Sequence, residues 1–306
     1  MLVDLLLFAA FGALGLHLQR TPRGDAIRAR LWSINYVVLI PIAAAFAFFT
    51  VELDTQLAAV YACTVGAWWL TVALAGLYAH AVARTRELRG ALWLVAAFPN
   101  TGFIGFPLAH LAFGADGLRL AIIYDQLSLV VPAIVVSTVI AQRHATTAAA
   151  PDAPSAWRTV LTSPPLWSVA VLLLLRATVV TEPLELDALG TAIGHVVGPV
   201  GFLLLGLSLP LGTFTHDRRE VAEVTGAVAV RVLAAPLLVW GVGRAAGVDI
   251  PDALYLIAAM PTAFHALVIS RLNGLEVTVV RLGVLASSVG VVAVTCGWVA
   301  LGGGGA

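Results

Sequence analysis

The chain has 306 residues, of which 60% are hydrophobic and only 11% are charged. Soluble domains contain about a quarter charged residues, so this balance indicates a protein whose solvent is lipid. The formal net charge is zero, which gives no sign of a nucleic-acid partner. Cys63 and Cys296 both fall inside apolar runs, so neither a disulfide framework nor a metal site is predicted, and no residue pattern calls for a cofactor.

Long apolar runs follow one another along the whole chain. A helix needs about 20 mostly apolar residues to cross the hydrocarbon core of a membrane. The first run carries Asp4 and has no basic segment before it, so it is interpreted as a retained span and not as a signal peptide. The sequence therefore predicts an all-α polytopic membrane protein with ten transmembrane helices, near Leu2–Leu16, Leu31–Val51, Leu57–Val82, Ala91–Phe113, Leu118–Ala141, Val160–Val180, Ala188–Gly212, Val221–Gly243, Ala253–Leu272 and Leu275–Ala300.

The arginines predict the orientation, because the chain contains no lysine. Thirteen arginines lie in one set of loops, and the opposite set holds only Arg119, Arg176 and Arg244. Positive side chains accumulate on the cytoplasmic side of membrane proteins. The prediction is a multi-pass protein of the cell membrane, with the arginine-rich loops in the cytoplasm and both termini outside.

The fourth and ninth runs open with the same phrase. Ala91–Pro99 matches Ala253–Pro261 at six of nine positions, with a constant offset of 162 residues. Each copy is the fourth run in a group of five, and an odd number of spans inserts the second group upside down relative to the first. An inverted five-plus-five repeat is a common plan of secondary transporters. The predicted division is 1–141 for the first repeat, 142–159 for a cytoplasmic linker and 160–306 for the second repeat.

Both phrases end on a proline in the middle of a span. Proline has no N–H, and its ring clashes with the carbonyl four residues back, so Pro99 frees the carbonyl of Val95 and Pro261 frees that of Ile257. In hydrocarbon such groups need protein or a polar cavity to satisfy them. The simpler alternative is that each proline merely kinks a packed helix. Their matched positions in two repeats favour broken helices that cross at the membrane midplane.

Polar residues cluster around these two prolines, with Asn100 and Thr101 after the first and Thr262 and His265 after the second. The amides that open each half-helix carry partial positive charge, which suits a carboxylate. The predicted partner is therefore a small organic anion. His265 lies one turn past Pro261, and the unperturbed pKa of a histidine, about 6.5, makes it a candidate pH-sensitive group, although a lone histidine in a helix is more often a packed hydrogen-bonding group.

Ionisable residues inside membrane spans are costly and mark candidate functional sites. Arg231 lies midway along the eighth run, and Asp125 lies about two turns into the fifth. Three interpretations stay open: the two residues pair in the transport machinery, Asp125 binds a coupling proton while Arg231 offsets its charge, or they form a purely structural ion pair.

Other function classes fit the sequence less well. An intramembrane enzyme is not indicated, because the chain has no His-Glu-x-x-His helix, no Gly-x-Ser-x-Gly elbow and no paired aspartates in facing spans. A channel would need rings of like charge or a carbonyl filter, and neither pattern is present. A channel or a non-transporting receptor of the same architecture stays as the alternative to a carrier.

The segment Phe98–Leu108, followed by Gly114, resembles the fourth-helix signature of the auxin efflux carrier family, which includes the plant PIN proteins and many bacterial members. The signature combines Pro-Asn-Thr, a glycine and a Pro-Leu pair at fixed spacing. Ala258–Pro261, with Arg271 ten residues on, is similar to the ninth helix of that family, and the second helix is only loosely similar. The long cytoplasmic loop of the plant members is absent, which points to the compact bacterial form.

This resemblance implies a scaffold of helices 1, 2, 6 and 7, a moving domain of the other helices, and alternating access. It also implies a homodimer and a small organic anion bound where helices 4 and 9 cross. Pro99 and Pro261 would form that crossing, and Asn100 would contact the substrate carboxylate. His265 has no counterpart in the family pattern, and the coupling ion, H⁺ or Na⁺, stays open.

Overall fold

The computed structural model describes residues 2–145, 158, 161–180, 182–211 and 217–303. Regular structure in this part of the chain is helical. The α-helices with described bounds are α1 Leu2–Gln19, α2 Gly24–Ile34, α3 Ile40–Thr50, α4 Thr55–Val82, α5 Arg86–Ala97, α6 Phe106–Tyr124, α7 Val130–His144, α8 Pro164–Thr178, α9 Asp187–Ser208, α10 Arg218–Ala229, α11 Ala235–Ala246, α12 Asp252–Ala258, α13 His265–Leu272 and α14 Val277–Ala300.

Six helical stretches in the described residues are long and apolar enough to cross a membrane: Gly24–Thr50, Thr55–Val82, Thr101–Leu127, Ala188–Ser208, Arg218–Ala246 and Val277–Ala300. Shorter apolar helices lie at Val3–Gln19 and Leu166–Thr178. The prediction of an all-α, multi-pass membrane protein is confirmed, whereas ten crossings in two inverted halves stay a prediction. Most of the predicted linker 142–159 lies outside the described residues, and α7 ends at His144 within it.

In the described residues four π-helical turns lie between consecutive α-helices, and a proline follows each turn. The turns are Asn35–Leu39, Thr101–Gly105, Asp125–Leu129 and Val230–Ala234. In each case a proline (Pro41, Pro107, Pro132 and Pro236) follows within three residues, so the carbonyl four residues before it lies inside the π turn. A π turn widens the helix by one residue, which relieves the clash between the proline ring and that carbonyl.

A bend inside one helix, in place of a loop, separates the fourth and fifth predicted spans. The helix Phe106–Tyr124 contains one residue with non-helical geometry, Gly114, whose φ is 63°. A positive φ is unfavourable for residues that have a Cβ, so glycine permits this sharp change of direction. The bend lies between the predicted ends of the two spans, Phe113 and Leu118.

The packing places α5 at the centre of the protein. Its residues Leu92, Leu94 and Val95 are fully buried, and it contacts α4, α7, α10 and α14. At another contact, α1 and α9 approach so closely that a Cβ on Gly206 would lie 2.2 Å from the carbonyl oxygen of Gly12. Small residues allow such close backbone packing between membrane helices. The end of α5 is therefore held in the interior of the protein.

Candidate functional site

The two helix breaks meet and pair through their backbones. The first break comprises residues 98–100 between α5 and the π turn Thr101–Gly105, and the second comprises residues 259–264 between α12 and α13. Asn100 N donates to Pro261 O at 2.7 Å, and Ala263 N donates to Phe98 O at 2.9 Å. These bonds form an isolated antiparallel bridge. We call residues 98–100 and 259–264 the paired breaks.

The two carbonyls freed by Pro99 and Pro261 both accept a hydrogen bond. Thr262 Oγ1, on the second break, donates to Val95 O at 2.8 Å. Met260 N donates to Ile257 O at 3.2 Å. Because a buried polar group without a partner costs several kcal/mol in hydrocarbon, these bonds explain why both helices can stay broken in the interior.

Thr262 is itself held by the last helix, and its side chain is fully buried. Its backbone N–H donates to Ser287 Oγ at 3.1 Å, and that hydroxyl donates to Gly283 O at 2.6 Å. Sequence reasoning missed Ser287, although the Ser287-Ser288 pair inside an otherwise apolar run was an available signal.

Arg231 joins the ends of the two helices that lead into the breaks. Arg231 belongs to the π turn Val230–Ala234, and only 1% of it is exposed. Nη1 donates to Ala97 O at 2.9 Å, and Nη2 donates to Ala258 O. Ala97 and Ala258 are the last residues of α5 and α12. Since a helix C-terminus carries about half a negative charge, one guanidinium offsets both ends.

The carboxylate of Asp125 lies beside the opposite end of the first break. Thr101 Oγ1 donates to Asp125 Oδ1, and Gln126 Nε2 donates to Oδ2 at 2.8 Å. In the described part of the chain Asp125 and Arg231 form no ion pair, so the interpretations that pair them are not supported. The guanidinium donates to two backbone carbonyls, whereas the carboxylate accepts hydrogen bonds from Thr101 and Gln126.

Asn100 Nδ2 and His265 Nε2 are among the buried polar atoms that have no hydrogen-bond partner in the described part of the chain. The Asn100 side chain is 4% exposed, and its Oδ1 accepts a bond from Phe103 N at 3.3 Å. The His265 ring packs edge-on against Phe98, with the ring centroids 5.4 Å apart. Leaving a buried donor unsatisfied costs about 1 to 3 kcal/mol. Both atoms therefore mark a place that a polar ligand would complete.

An aromatic cluster of Trp32, Phe103 and Phe264 lies next to the breaks. The ring centroids of Trp32 and Phe103 are 4.4 Å apart, and those of Phe103 and Phe264 are 6.4 Å apart. Trp32 and Phe264 also line a pocket of about 380 Å³. Sequence reasoning missed this cluster, because single aromatic residues in apolar helices give no distinct signal.

The bond between Thr262 and Val95 gives a first testable prediction. We expect Thr262→Val, which keeps the side-chain shape, to lower the stability of the protein by about 1 to 3 kcal/mol, because the carbonyl of Val95 loses its donor. The control is Thr225→Val, where an exposed hydroxyl makes a bond of 2.7 Å to Val221 O. The measurement is the melting temperature in detergent. Equal shifts for both variants would contradict the assigned role.

Comparison with known proteins decides the family. The family described as membrane transport protein matches residues 5–299, nearly the whole chain. The chain belongs to this family, the auxin efflux carrier family. Its sequence is also 29% identical over 230 residues to an "Uncharacterized transporter" of Methanothermobacter thermautotrophicus, and the match covers 72% of each protein. The resemblance seen in the sequence is confirmed, and membership of the auxin efflux carrier family points to a transporter and not to an enzyme.

Proposed function

We propose that the protein is a secondary transporter that carries a small organic anion by alternating access, with the anion held at the paired breaks. The observation that carries this proposal is the pair of buried, unpartnered atoms Asn100 Nδ2 and His265 Nε2. Pro99, Thr101, Pro261 and Thr262 surround them. Membership of a membrane transport protein family supports transport as the activity.

The charges around the breaks favour an anion. The negative ends of α5 and α12 are already offset by Arg231. The half-helices that begin at Thr101 and His265 present their positive ends at the breaks, and each end contributes about half a positive charge. A carboxylate would complement these ends and accept a hydrogen bond from the amide of Asn100.

Asp125 supplies a reason for coupling to a proton. Its carboxylate is bonded to Thr101, at the positive end that we assign to the substrate. When Asp125 is ionised, it offsets that positive end and competes with the substrate anion. When it is protonated, the anion binds without this competition. We therefore propose H⁺ as the coupling ion, with Na⁺ as the alternative.

The helix boundaries support an inverted repeat. The helices of the second half begin 162 to 166 residues after their counterparts: Pro164 after Leu2, Asp187 after Gly24, Arg218 after Thr55 and Asp252 after Arg86. The contacts follow the same pairing, because α1 packs on α9, and α8, the counterpart of α1, packs on α3, which continues the counterpart of α9. We propose that α1, α2, α3, α8 and α9 form the scaffold, which also holds a homodimer together, and that the other helices move.

The membrane orientation follows the arginines. We propose that the arginine-rich loops face the cytoplasm and that both termini lie outside the cell membrane. A reporter fused to either end, active on one side of the membrane only, measures this directly. Activity on the cytoplasmic side would contradict the assigned orientation.

The experiment that tests the function is uptake into liposomes against a panel of small carboxylates. Wild-type protein should show saturable uptake of at least one of them, and Asn100→Ala should raise its KM by about tenfold, the loss of about 1.4 kcal/mol of binding free energy. Asn273→Ala is the control, since it removes another buried amide, which donates to Ile269 O at 2.8 Å.

The possible failures separate the alternatives. Uptake that never saturates would indicate a channel. No uptake of any carboxylate by folded protein would indicate a receptor or a different substrate class. Equal KM values for wild type and Asn100→Ala would remove the substrate from the first break.

A further inference from the structure

We propose that the protein has a second anion-binding site, a pocket of about 380 Å³ at the arginine-rich end, where a small soluble carboxylate binds before it reaches the paired breaks. The destination of this anion rests on the proposed function, but the pocket itself does not. We call it the arginine pocket. Its charged and polar lining residues are Arg28, Arg271, Arg281, Gln19 and Ser208.

The charge of this pocket has one sign. Its three arginines come from α2, α13 and α14, and among the described residues that line it there is no acidic side chain. Asp25 pairs with Arg28 at 2.9 Å, but its own side chain is 90% exposed and does not line the pocket. A guanidinium presents donors that match the two oxygens of a carboxylate. The arrangement therefore suits an anion with carboxylate geometry.

Two buried polar atoms in the lining also lack a partner. Ser208 Oγ and Gln19 Oε1 are buried without a hydrogen bond, whereas Gln19 Nε2 donates to Leu209 O at 2.7 Å. The hydroxyl of Ser208 can donate to a bound anion, and this bond would remove the cost of its burial. An unsatisfied donor beside three arginines indicates a site for a ligand, beyond a merely charged surface.

The arginine pocket leads towards the paired breaks. Phe264, which ends the second break, lines it, and so do Leu267 and Arg271 on α13. Trp32 lines it from α2 and contacts Phe103, the residue whose N–H is bonded to Asn100. The aromatic cluster therefore separates the arginine pocket from Asn100, and an anion bound in the pocket is one barrier away from the breaks.

The opposite end of the protein carries the opposite charge. A pocket of about 670 Å³ there is lined by the acidic residues Glu52, Asp54, Glu182, Glu185 and Asp249. Arg119, the basic side chain among the described residues that line it, is paired with Asp116 at 2.8 Å. Glu185 precedes α9 and Ser208 ends it, so the two pockets lie at opposite ends of one helix.

This asymmetry affects binding on the two sides differently. Surface potentials of several kT raise the local concentration of an ion of opposite sign. We infer that the anion saturates the carrier at a lower concentration from the arginine end than from the acidic end. A fixed field does no work over a full cycle, so the net direction of flux still depends on the gradients.

The test uses a cysteine in each pocket and does not depend on transport. In a Cys63→Ala, Cys296→Ala background, Val268→Cys places a thiol in the arginine pocket and Gln56→Cys places one in the acidic pocket. Purified protein is treated with an anionic or a cationic methanethiosulfonate. At position 268 we expect the anionic reagent to react about tenfold faster than the cationic reagent. At position 56 we expect the cationic reagent to react faster than the anionic one.

Two further arms identify the ligand. Succinate should slow the modification at position 268 but not at position 56. The double variant Arg271→Gln, Arg281→Gln should lose both this protection and the preference for the anionic reagent. If the double variant does not fold, the loss of charge preference in high salt provides the same measurement on folded protein. In nanodiscs, protection by phosphatidylglycerol in place of succinate would assign the pocket to a lipid headgroup.

Equal reaction rates for the two reagents at position 268 would overturn the anion site, and so would succinate protection of both positions. The lipid-headgroup result would overturn the soluble ligand. If the arginine pocket behaves as expected while Asn100→Ala transports with an unchanged KM, the site at the breaks fails and the arginine pocket stands.

Discussion

Replacement of Arg231 by methionine is expected to destabilise the protein by about 3 to 5 kcal/mol, because two hydrogen bonds from a charged group are lost and each contributes about 1.5 to 3 kcal/mol. Methionine fills much of the same volume but leaves the carbonyls of Ala97 and Ala258 without the guanidinium. The negative ends of α5 and α12 then lie close together with no compensating charge. The measurement is the melting temperature in detergent, together with the yield of monodisperse protein.

Two further variants make this prediction specific. Arg244→Met, on the same membrane-spanning stretch but exposed, should change the melting temperature little. Arg231→Lys keeps the charge, but one ammonium does not reproduce the planar fork that reaches both carbonyls, so we expect an intermediate melting temperature. A lysine variant as stable as wild type would show that charge alone suffices, and a stable methionine variant would refute the bridging role of Arg231.

The second large effect is expected from Asp125→Asn. Under proton coupling, wild-type uptake of a monocarboxylate should rise as the pH on the loading side falls, because the carboxylate of Asp125 must be protonated to travel with the anion. Asparagine is neutral at every pH. We therefore expect uptake to lose its pH dependence and to carry net negative charge, seen as a current that accompanies labelled uptake in liposomes.

Asp116→Asn is the matched control, since this exposed aspartate lies on the same helical stretch, Thr101–Leu127, and pairs only with Arg119 among the described contacts. It should keep the pH dependence of wild type. If Asp125→Asn also keeps it, the proton is carried elsewhere. If wild-type uptake depends on sodium and not on pH, the coupling assignment itself is wrong, although Asp125 would still position Thr101 through their hydrogen bond.

The positions of the helix breaks were predictable from sequence because their cause is local. Pro99 and Pro261 lack an amide proton wherever the chain folds, and both breaks lie at these residues. The carbonyls that they free were also predictable. Their donors were not: Thr262 lies 167 residues from Val95, and no periodicity encodes which distant side chain reaches which carbonyl.

The role of Arg231 was unpredictable for the same reason. The sequence shows an arginine in an apolar run, and the sign rule for membrane charges suggests an acidic partner such as Asp125. A backbone carbonyl is an equally good partner, but every residue has one, so the sequence does not indicate which carbonyl an arginine will contact. Two helix ends converging on one position appear only once the chain is folded. The arginine pocket was hidden likewise, since Arg28 is far from Arg271 and Arg281 in sequence.

The backbone bonds between the paired breaks have a mechanical consequence. Residues 98–100 and 259–264 are joined by two amide–carbonyl bonds, with a third bond from Thr262 to Val95. Pulling the segments apart in a medium of low dielectric would leave several buried groups unsatisfied at once, at several kcal/mol each. Under the proposed alternating access, this cost would recur at every turnover if the breaks separated. We therefore expect the four half-helices to move as one rigid unit, so that access to either side changes as this unit slides past α1 and α9 while the backbone bonds stay closed.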